Sequence, residues 1–340
     1  MSEIIVEIGN SHEGSLGIAK SFVEMAKQAN CQTVKFQMHI PEAEGMPNEP
    51  FRKIFSNQDE TRQGYWKRVG FSEREWAILI SFVHSLGLEF LCTPFSVEAA
   101  QWLFKNKAVK RWKVGSGDAV NFPLIDYLIH TNLPLIISTG LVSWEEILQL
   151  KSRLVDSGAW DRTTLLHCVS EYPVALGKVG LNLIDEIAGL GCSVGYSDHS
   201  GKLAPGLAAI AKGVSILEVH MAPHKLFFGP DTPASLTPRE IAFLSQFNSD
   251  LELMKTSRIK KDDYFAVSET MRSIFRKGIY WSKDLNSGDV VKDSDLIYRK
   301  PVNGFDAKDF EKILGRKLLR DVTSHDPVSP LDFLDQGGPN

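Results

Sequence analysis

Two histidines carry the first chemical signal in the chain. His199 and His220 each close a short apolar run, residues 193–196 and 214–217, with a helix-like stretch at 205–212 between the runs. A strand–helix–strand unit of this kind joins parallel strands and brings their C-terminal ends to one edge of a sheet. The two imidazoles then face one pocket and form half a donor shell for a divalent cation. Two buried, hydrogen-bonded core histidines would give the same spacing. The choice rests on what else reaches that edge.

Much else does. Read as strands, residues 4–8, 33–36, 88–92, 109–114, 135–137 and 164–168 also end in side chains able to bind or react. Together with the histidine pair the set is Glu7, Lys35, Thr93, Lys113 with Ser116, Ser138, Ser170 with Tyr172, Ser197 with His199, and His220. Any one of them alone is an ordinary cap or loop residue; strand ends that all carry such groups mark a site. Two lysines among hydroxyls and glycines suit an anionic ligand, a phosphate together with a carboxylate. Each lysine also has a structural alternative, with its stem buried along the strand end and its ammonium in water.

The elements that position these groups alternate. Each strand but the last is followed by a helical pattern, two of them opened by the capping signatures Ser72-x-x-Glu75 and Ser143-x-x-Glu146, and a helix near Pro238 completes the eighth unit. Eight βα units in roughly 250 residues predict a TIM (β/α)8 barrel, whose chemistry sits at the C-terminal ends of its strands. An open doubly wound sheet would place a Gly-rich dinucleotide loop after its first strand. No GxGxxG occurs, and Gly115-Ser116-Gly117 is too short to stand for it. Residues 41–64 read as a polar, irregular insertion. The plan is a barrel over 1–254, a charged linker over 255–275 and a small β-rich domain over 276–335, within which KDLNSGDVV (283–291) echoes RDVTSHDPV (320–328). A domain of that size buries little apolar surface alone and is expected to dock on something.

Composition sets outer limits. The chain has 340 residues, 43% hydrophobic and 24% charged, with a formal net charge of −4, which fits a globular protein and argues against binding nucleic acid. Cys31, Cys92, Cys168 and Cys192 lack metal-type spacing and read as buried thiols in a reducing compartment. Neither a signal-peptide pattern nor a membrane-length apolar run is present, so a cytoplasmic location without membrane association is expected.

The residues also name a family. EIGNSHEGS, TVKFQ, LCTPFS, KVGSGD, ISTG, LHCVSEYP, GYSDHS, EVHMAP and GPDTPASLTP, in that order, resemble the sialic acid synthase (N-acetylneuraminate synthase) family. KPVNG and ILGRKLLRD resemble its C-terminal SAF (antifreeze-like) domain. The resemblance implies condensation of phosphoenolpyruvate with an open-chain N-acyl amino sugar, N-acetylmannosamine or a related derivative, to a nine-carbon 2-keto-3-deoxy acid with release of phosphate. It implies a divalent metal, Mn²⁺ or Mg²⁺, on His199 and His220, and phosphoenolpyruvate contacts from Lys35, Thr93, Lys113, Ser116, Ser138 and Ser197. Sugar contacts carry over to Gln37, Tyr172 and Asp231, with Ser170 beside them and Glu7 near the metal and the reacting aldehyde. The implied assembly is a homodimer in which each tail covers the partner's barrel.

Three departures bear on the substrate. The family's GSGE loop ends here in Asp118, one methylene shorter. Its KRPGNG motif reads Arg299-Lys300-Pro301-Val302-Asn303-Gly304, with Lys300 in the place of an arginine that reaches the sugar and Arg299 able to replace it only by a register shift. The segment MAPHKLFFGP carries an extra histidine, His224. Together these point to a sialic-acid-like acceptor other than N-acetylmannosamine. Competing readings are a Schiff-base aldolase using Lys35 or Lys113, a barrel that binds without catalysing, and a synthase of seven- or eight-carbon keto acids.

Overall fold

The computed structural model describes residues 1–47, 49–51 and 58–333. Among these, eight parallel strands build one sheet. They are β1 (Glu3–Gly9), β2 (Thr33–Met38), β3 (Glu89–Pro94), β4 (Trp112–Val114), β5 (Leu135–Ser138), β6 (Thr163–Cys168), β7 (Ser193–Asp198) and β8 (Ile216–His220). The order β3-β2-β1-β8-β7-β6-β5-β4 pairs the first strand with the last, Glu7 opposite His220, while β3 and β4 pack beside one another at the seam. This is the expected TIM barrel, in which Leu16–Gln28 is the first crossover helix and Pro238–Thr256 follows β8. Both capping signatures form reciprocal boxes, Ser72 with Glu75 and Ser143 with Glu146.

Alternation along the strands sorts the side chains into two cores. Outward-facing Val6, Phe36, Phe90, Trp112, Ile137 and Leu217 pack against helix residues such as Phe22, Leu79, Leu103 and Leu244. Inward-facing Ile5, Leu91, Ile136, Leu166 and Ile216 fill the middle of the barrel as a separate cluster, each burial contributing about 1.5–3 kcal/mol. Gly195 admits that layer, since a Cβ there would lie 2.3 Å from Leu166 Cδ2 and 2.6 Å from the Ile216 carbonyl oxygen. Below it the N-terminal end is sealed by Arg111, which donates to Glu3 and Glu89, with Thr33 donating to Glu3 at 2.6 Å. Two residues further up each strand, at the C-terminal end, the inner face turns polar.

Strand ends differ from expectation in a consistent way. β2, β3, β7 and β8 run on to Met38, Pro94, Asp198 and His220, beyond the apolar runs read from the sequence and through Gln37, Thr93, Ser197 and Glu218, whereas β4 is cut to three residues. The ladder is made by the backbone, so polar side chains do not stop it; Glu7 pairs Lys35 and Ser197 pairs Glu218 in register. The 41–64 insertion is not wholly irregular: Pro41–Glu44 is a short helix, and Thr61 caps the helix Arg62–Val69. Positions 48 and 52–57 of the insertion lie outside the described residues.

A second compact unit begins at Ser257. The stretch read as a linker is largely helical, over Lys261–Val267 and Glu269–Phe275. Beyond it β9 (Gly278–Trp281) pairs antiparallel with β10 (Leu296–Arg299) over a small core of Ile279, Trp281, Val291, Ile313 and Leu318. The sequence echo is a structural pair: Leu285 and Val322 exchange both backbone hydrogen bonds at 3.0 and 2.9 Å. Asp284 accepts from the Ser324 N–H, and Asp321 from the Ser287 N–H, each at 2.7 Å. Among the described residues no helix is long and apolar enough to cross a membrane.

Candidate active site

The C-terminal mouth of the barrel opens into a cavity of about 510 Å³. Glu7, Lys35, Gln37, Thr93, Lys113, Ser116, Ser138, Ser170, Tyr172, Ser197, His199, His220 and Asp231 all line it. Strand ends had marked most of these and the family resemblance Gln37 and Asp231, and closure of the barrel brings them to one chamber.

At its closed end the lysines share a carboxylate that sequence reading had not singled out. Lys35 Nζ lies 2.7 Å from Glu7 Oε2 and 3.5 Å from Glu218 Oε1, and Lys113 Nζ lies 3.9 Å from the same Glu218 oxygen. Lys113 also donates to Ser138 Oγ at 2.7 Å, and Ser197 Oγ donates to Glu218 Oε1 at 3.0 Å. All four charged side chains are at most 4% exposed. Burial opposes each charge, and the outcome differs with the neighbours. Against burial, Glu218 and Glu7 hold the Lys35 pKa above its ordinary value. For Lys113 burial prevails over Glu218, and its pKa lies below the ordinary lysine range. Glu218 is buried too, yet Lys113 and Lys35 hold its pKa well below the usual carboxylate range. Glu218 was legible: it stands two residues before His220, and strand period puts both on one face.

The histidines meet at the adjoining wall, ring centroids 5.3 Å apart. His199 stands within 2.7 Å of the Val169 carbonyl oxygen through Nδ1, which fixes the proton there and leaves Nε2 as an acceptor toward the cavity. Burial, then His220, pushes its pKa down to about 3, so the ring is neutral. Tyr172 stacks on His199 at 4.2 Å with its hydroxyl 3.1 Å from Nε2, and Asp231 lies 3.8 Å from His220 Nδ1. A neutral imidazole oriented by a backbone carbonyl, as His199 is, suits a metal's nitrogen donor. Among the described residues no group of three or more His, Cys, Asp or Glu side chains is arranged to hold an ion.

Asp118 and His224 are not among the lining residues, and Arg299 and Lys300 belong to the second unit. Asp118 closes the turn Ser116–Asp118 away from the lining and accepts from Asn121 Nδ2 at 3.0 Å; burial holds its carboxyl above the ordinary range. Arg299 ends β10 in the second unit, where its guanidinium donates to the Tyr298 carbonyl, and the Lys300 ammonium lies 5.2 Å over the Phe275 ring. His224 is exposed, with Nδ1 accepting from Leu226 N. Other lining groups were not assigned to the site from the sequence: Asn10, His39, Glu44, Tyr65, Trp66 and Phe95. Most lie on the insertion or in loops, where no periodicity says which side chain turns inward.

A barrel with two buried lysines and two paired histidines at the C-terminal ends of its strands carries its polar groups where barrel enzymes place their chemistry. Comparison with known proteins makes the class specific. The NeuB family model matches residues 22–260 and a SAF domain model residues 276–334. The N,N'-diacetyllegionaminic acid synthase of Campylobacter jejuni is 30% identical over 92% of this chain and 94% of its own length. That of Legionella pneumophila is 31% identical over 94% and 91%. The crystal structure of N-acetylneuraminic acid synthetase from Leptospira borgpetersenii, in complex with citrate, superimposes with a TM-score of 0.68 at 26% identity, over 80% of this chain and 92% of that one. The chain belongs to the NeuB family of nonulosonic acid synthases, with a C-terminal SAF domain.

Proposed function

We propose that the cavity condenses phosphoenolpyruvate with the open-chain form of an N-acyl amino sugar, giving a nine-carbon 2-keto-3-deoxy acid and phosphate. The observation that carries this reading is the buried Lys35–Glu218–Lys113 cluster ringed by Ser138, Thr93 and Ser197. Glu218 keeps both ammoniums close together in a site where like charges would otherwise repel. Hydroxyls around them add donors that need no proton transfer to bind phosphate and carboxylate oxygens. Held at the closed end, the enol carbon of phosphoenolpyruvate would face the histidine wall, where an aldehyde carbon can be brought against it.

His199 and His220 would hold a divalent cation, Mn²⁺ or Mg²⁺, which when bound supplies positive charge and polarises the aldehyde oxygen. Glu7, tied to Lys35 on one oxygen and to Gln37 on the other, stands between the anion cluster and the acceptor end. The Campylobacter and Legionella relatives are both synthases of a diacetylated product, so a diacylated amino sugar leads the list of acceptors. The lowered pKa of Lys113 favours one second reading, Schiff-base chemistry on a keto acid. A phosphate-release assay with phosphoenolpyruvate and a panel of mono- and di-N-acylated hexosamines, with and without chelator, separates them. Chelator-sensitive phosphate release dependent on an acyl sugar is expected; borohydride trapping of a keto acid on Lys113 without phosphate release would overturn the proposal.

A further inference from the structure

The cavity wall above β2 holds a hydrogen-bond chain that meets the lysine cluster only at Glu7 and has no part in the histidine pair. His39, one residue past β2, has a side chain 4% exposed. Its ring is stacked between Trp66 at 3.8 Å and 9° and Phe95 at 4.3 Å and 13°. Nδ1 lies 2.8 and 3.0 Å from the two Glu44 carboxylate oxygens, and Nε2 lies 3.3 Å from Gln37 Oε1. The Gln37 amide is oriented from its other side: Nε2 donates to Glu7 Oε1 at 2.6 Å, and Oε1 accepts from Asn10 Nδ2 at 3.1 Å. The flipped amide would set its carbonyl oxygen against the Glu7 carboxylate. With Oε1 thus facing the ring, Nε2 of His39 has to donate; with a carboxylate at Nδ1, that nitrogen has to donate as well. Both contacts form together only when each ring nitrogen carries a proton. The Glu44 carboxylate and the two aromatic faces suit such a cation.

We propose that His39 is a doubly protonated positioning residue that locks Gln37 as a one-way hydrogen-bond donor to the acyl carbonyl oxygen of the acceptor. The proposal rests on the N-acyl amino sugar reading. Asn10 and His39 take up both lone pairs of Gln37 Oε1, and Glu7 takes one N–H. The remaining N–H has no protein partner among the described residues, and Gln37 lines the cavity. An amide that ordinarily both donates and accepts therefore shows a ligand only a donor. An acyl carbonyl oxygen matches it; a free ammonium does not. Gly9 keeps the approach open, because a Cβ there would lie 3.3 Å from Gln37 Nε2 and 3.2 Å from Glu7 Oε1. Among the described residues, the other charged or titratable groups near the ring are Asp118 after β4, His12 after β1, and Arg62, whose guanidinium lies 5.4 Å over the Trp66 ring.

The test has two arms on the full-length protein. Histidine-selective ¹⁵N labelling, with His39 assigned by its loss in His39→Phe, is expected to show both ring nitrogens protonated at neutral pH without ligand. An unprotonated nitrogen overturns the proposal. In the second arm His39→Phe keeps a stacked ring but removes both donors. Its KM for the N-acyl acceptor should rise about 10- to 100-fold, with KM for phosphoenolpyruvate unchanged. The extra cost of deleting the acyl group from the acceptor should shrink in the variant. An unchanged acceptor KM overturns the assignment. Absence of turnover by the wild type with any N-acyl amino sugar would instead sink the acceptor reading, and with it the ligand of Gln37. The imidazole spectrum decides the state of His39 independently.

Discussion

Glu218 is the residue on which both buried lysines depend. Its Oε1 lies within 3.9 Å of each ammonium and accepts from Ser197, at a site sealed from water on the barrel side by the apolar middle layer. Glu218→Gln keeps the shape and removes the charge, leaving two buried ammoniums with Glu7 as their shared counter-ion. Breaking a buried ion pair in this way costs about 3–5 kcal/mol, so the urea midpoint should fall accordingly. An unshifted midpoint would show that the cluster is not charged as described. His12 offers a pH test. It is buried, stacked on Phe71 at 4.4 Å, and accepts from Gly14 N through Nδ1. Burial, with the nearby His39, pushes its pKa from 6.5 down to about 4. The unfolded chain therefore binds a proton as pH falls below 6.5, while the folded one does not until about 4. Stability should fall across that window by about 3 kcal/mol from this group and level off below it. In His12→Asn, which retains an acceptor for Gly14, the slope of stability between pH 7 and pH 4 should flatten; an unaltered slope assigns it to other groups.

At the scale of elements, strand period does most of the placing. Glu3, Ile5 and Glu7 on β1 stack a floor, a core and a reactive rim within one strand, and on β8 the core residue Ile216 is followed by Glu218 and His220 of the rim. The rim therefore inherits its spacing from the apolar layer beneath it, and Gly195 tests that dependence. Gly195→Ala would press a methyl into Leu166 and the Ile216 backbone, a strain of about 1–3 kcal/mol or more, checked by denaturant titration. Gly177→Ala, where a Cβ would meet nothing within 4 Å, should lie within about 0.5 kcal/mol of wild type. Equal effects at the two glycines would mean that the middle layer is looser than its contacts imply. The insertion is placed differently. Arg68 of the helix Arg62–Val69 donates to Asp59 at 2.7 Å and to Glu13 at 3.0 Å, tying the helix that carries Tyr65 and Trp66 to the loop after β1.

At the scale of the whole molecule the second unit has its own logic. Its two echoing segments cross-brace through Asp284 and Asp321, so a small core is held by paired turns as much as by burial. The family resemblance implies that Arg299 or Lys300 serves the acceptor site of a partner's barrel. Mixing Lys113→Ala with the double variant Arg299→Ala, Lys300→Ala tests it. After proven subunit exchange, one site in each hybrid collects both lesions and the other is wild type, so activity should recover toward half. No recovery would mean that each second unit serves its own barrel or none.

From the order of its residues alone, this chain declares its barrel, the strand ends that carry chemistry and the family to which it belongs. Periodicity and strand-terminal polar residues are local features, and a parallel βα unit brings every such end to one face. Lys35, Lys113, Ser138, His199 and His220 were legible for that reason. What only the tertiary structure decided is who pairs with whom. Glu218 becomes the shared counter-ion of two lysines because ring closure sets β8 beside β1 and within reach of β2 and β4. His39 meets Glu44, Trp66 and Phe95 through an insertion and a loop that have no period to read. Pair distances across a closed sheet depend on the radius and register of the whole barrel, which no single stretch of sequence encodes.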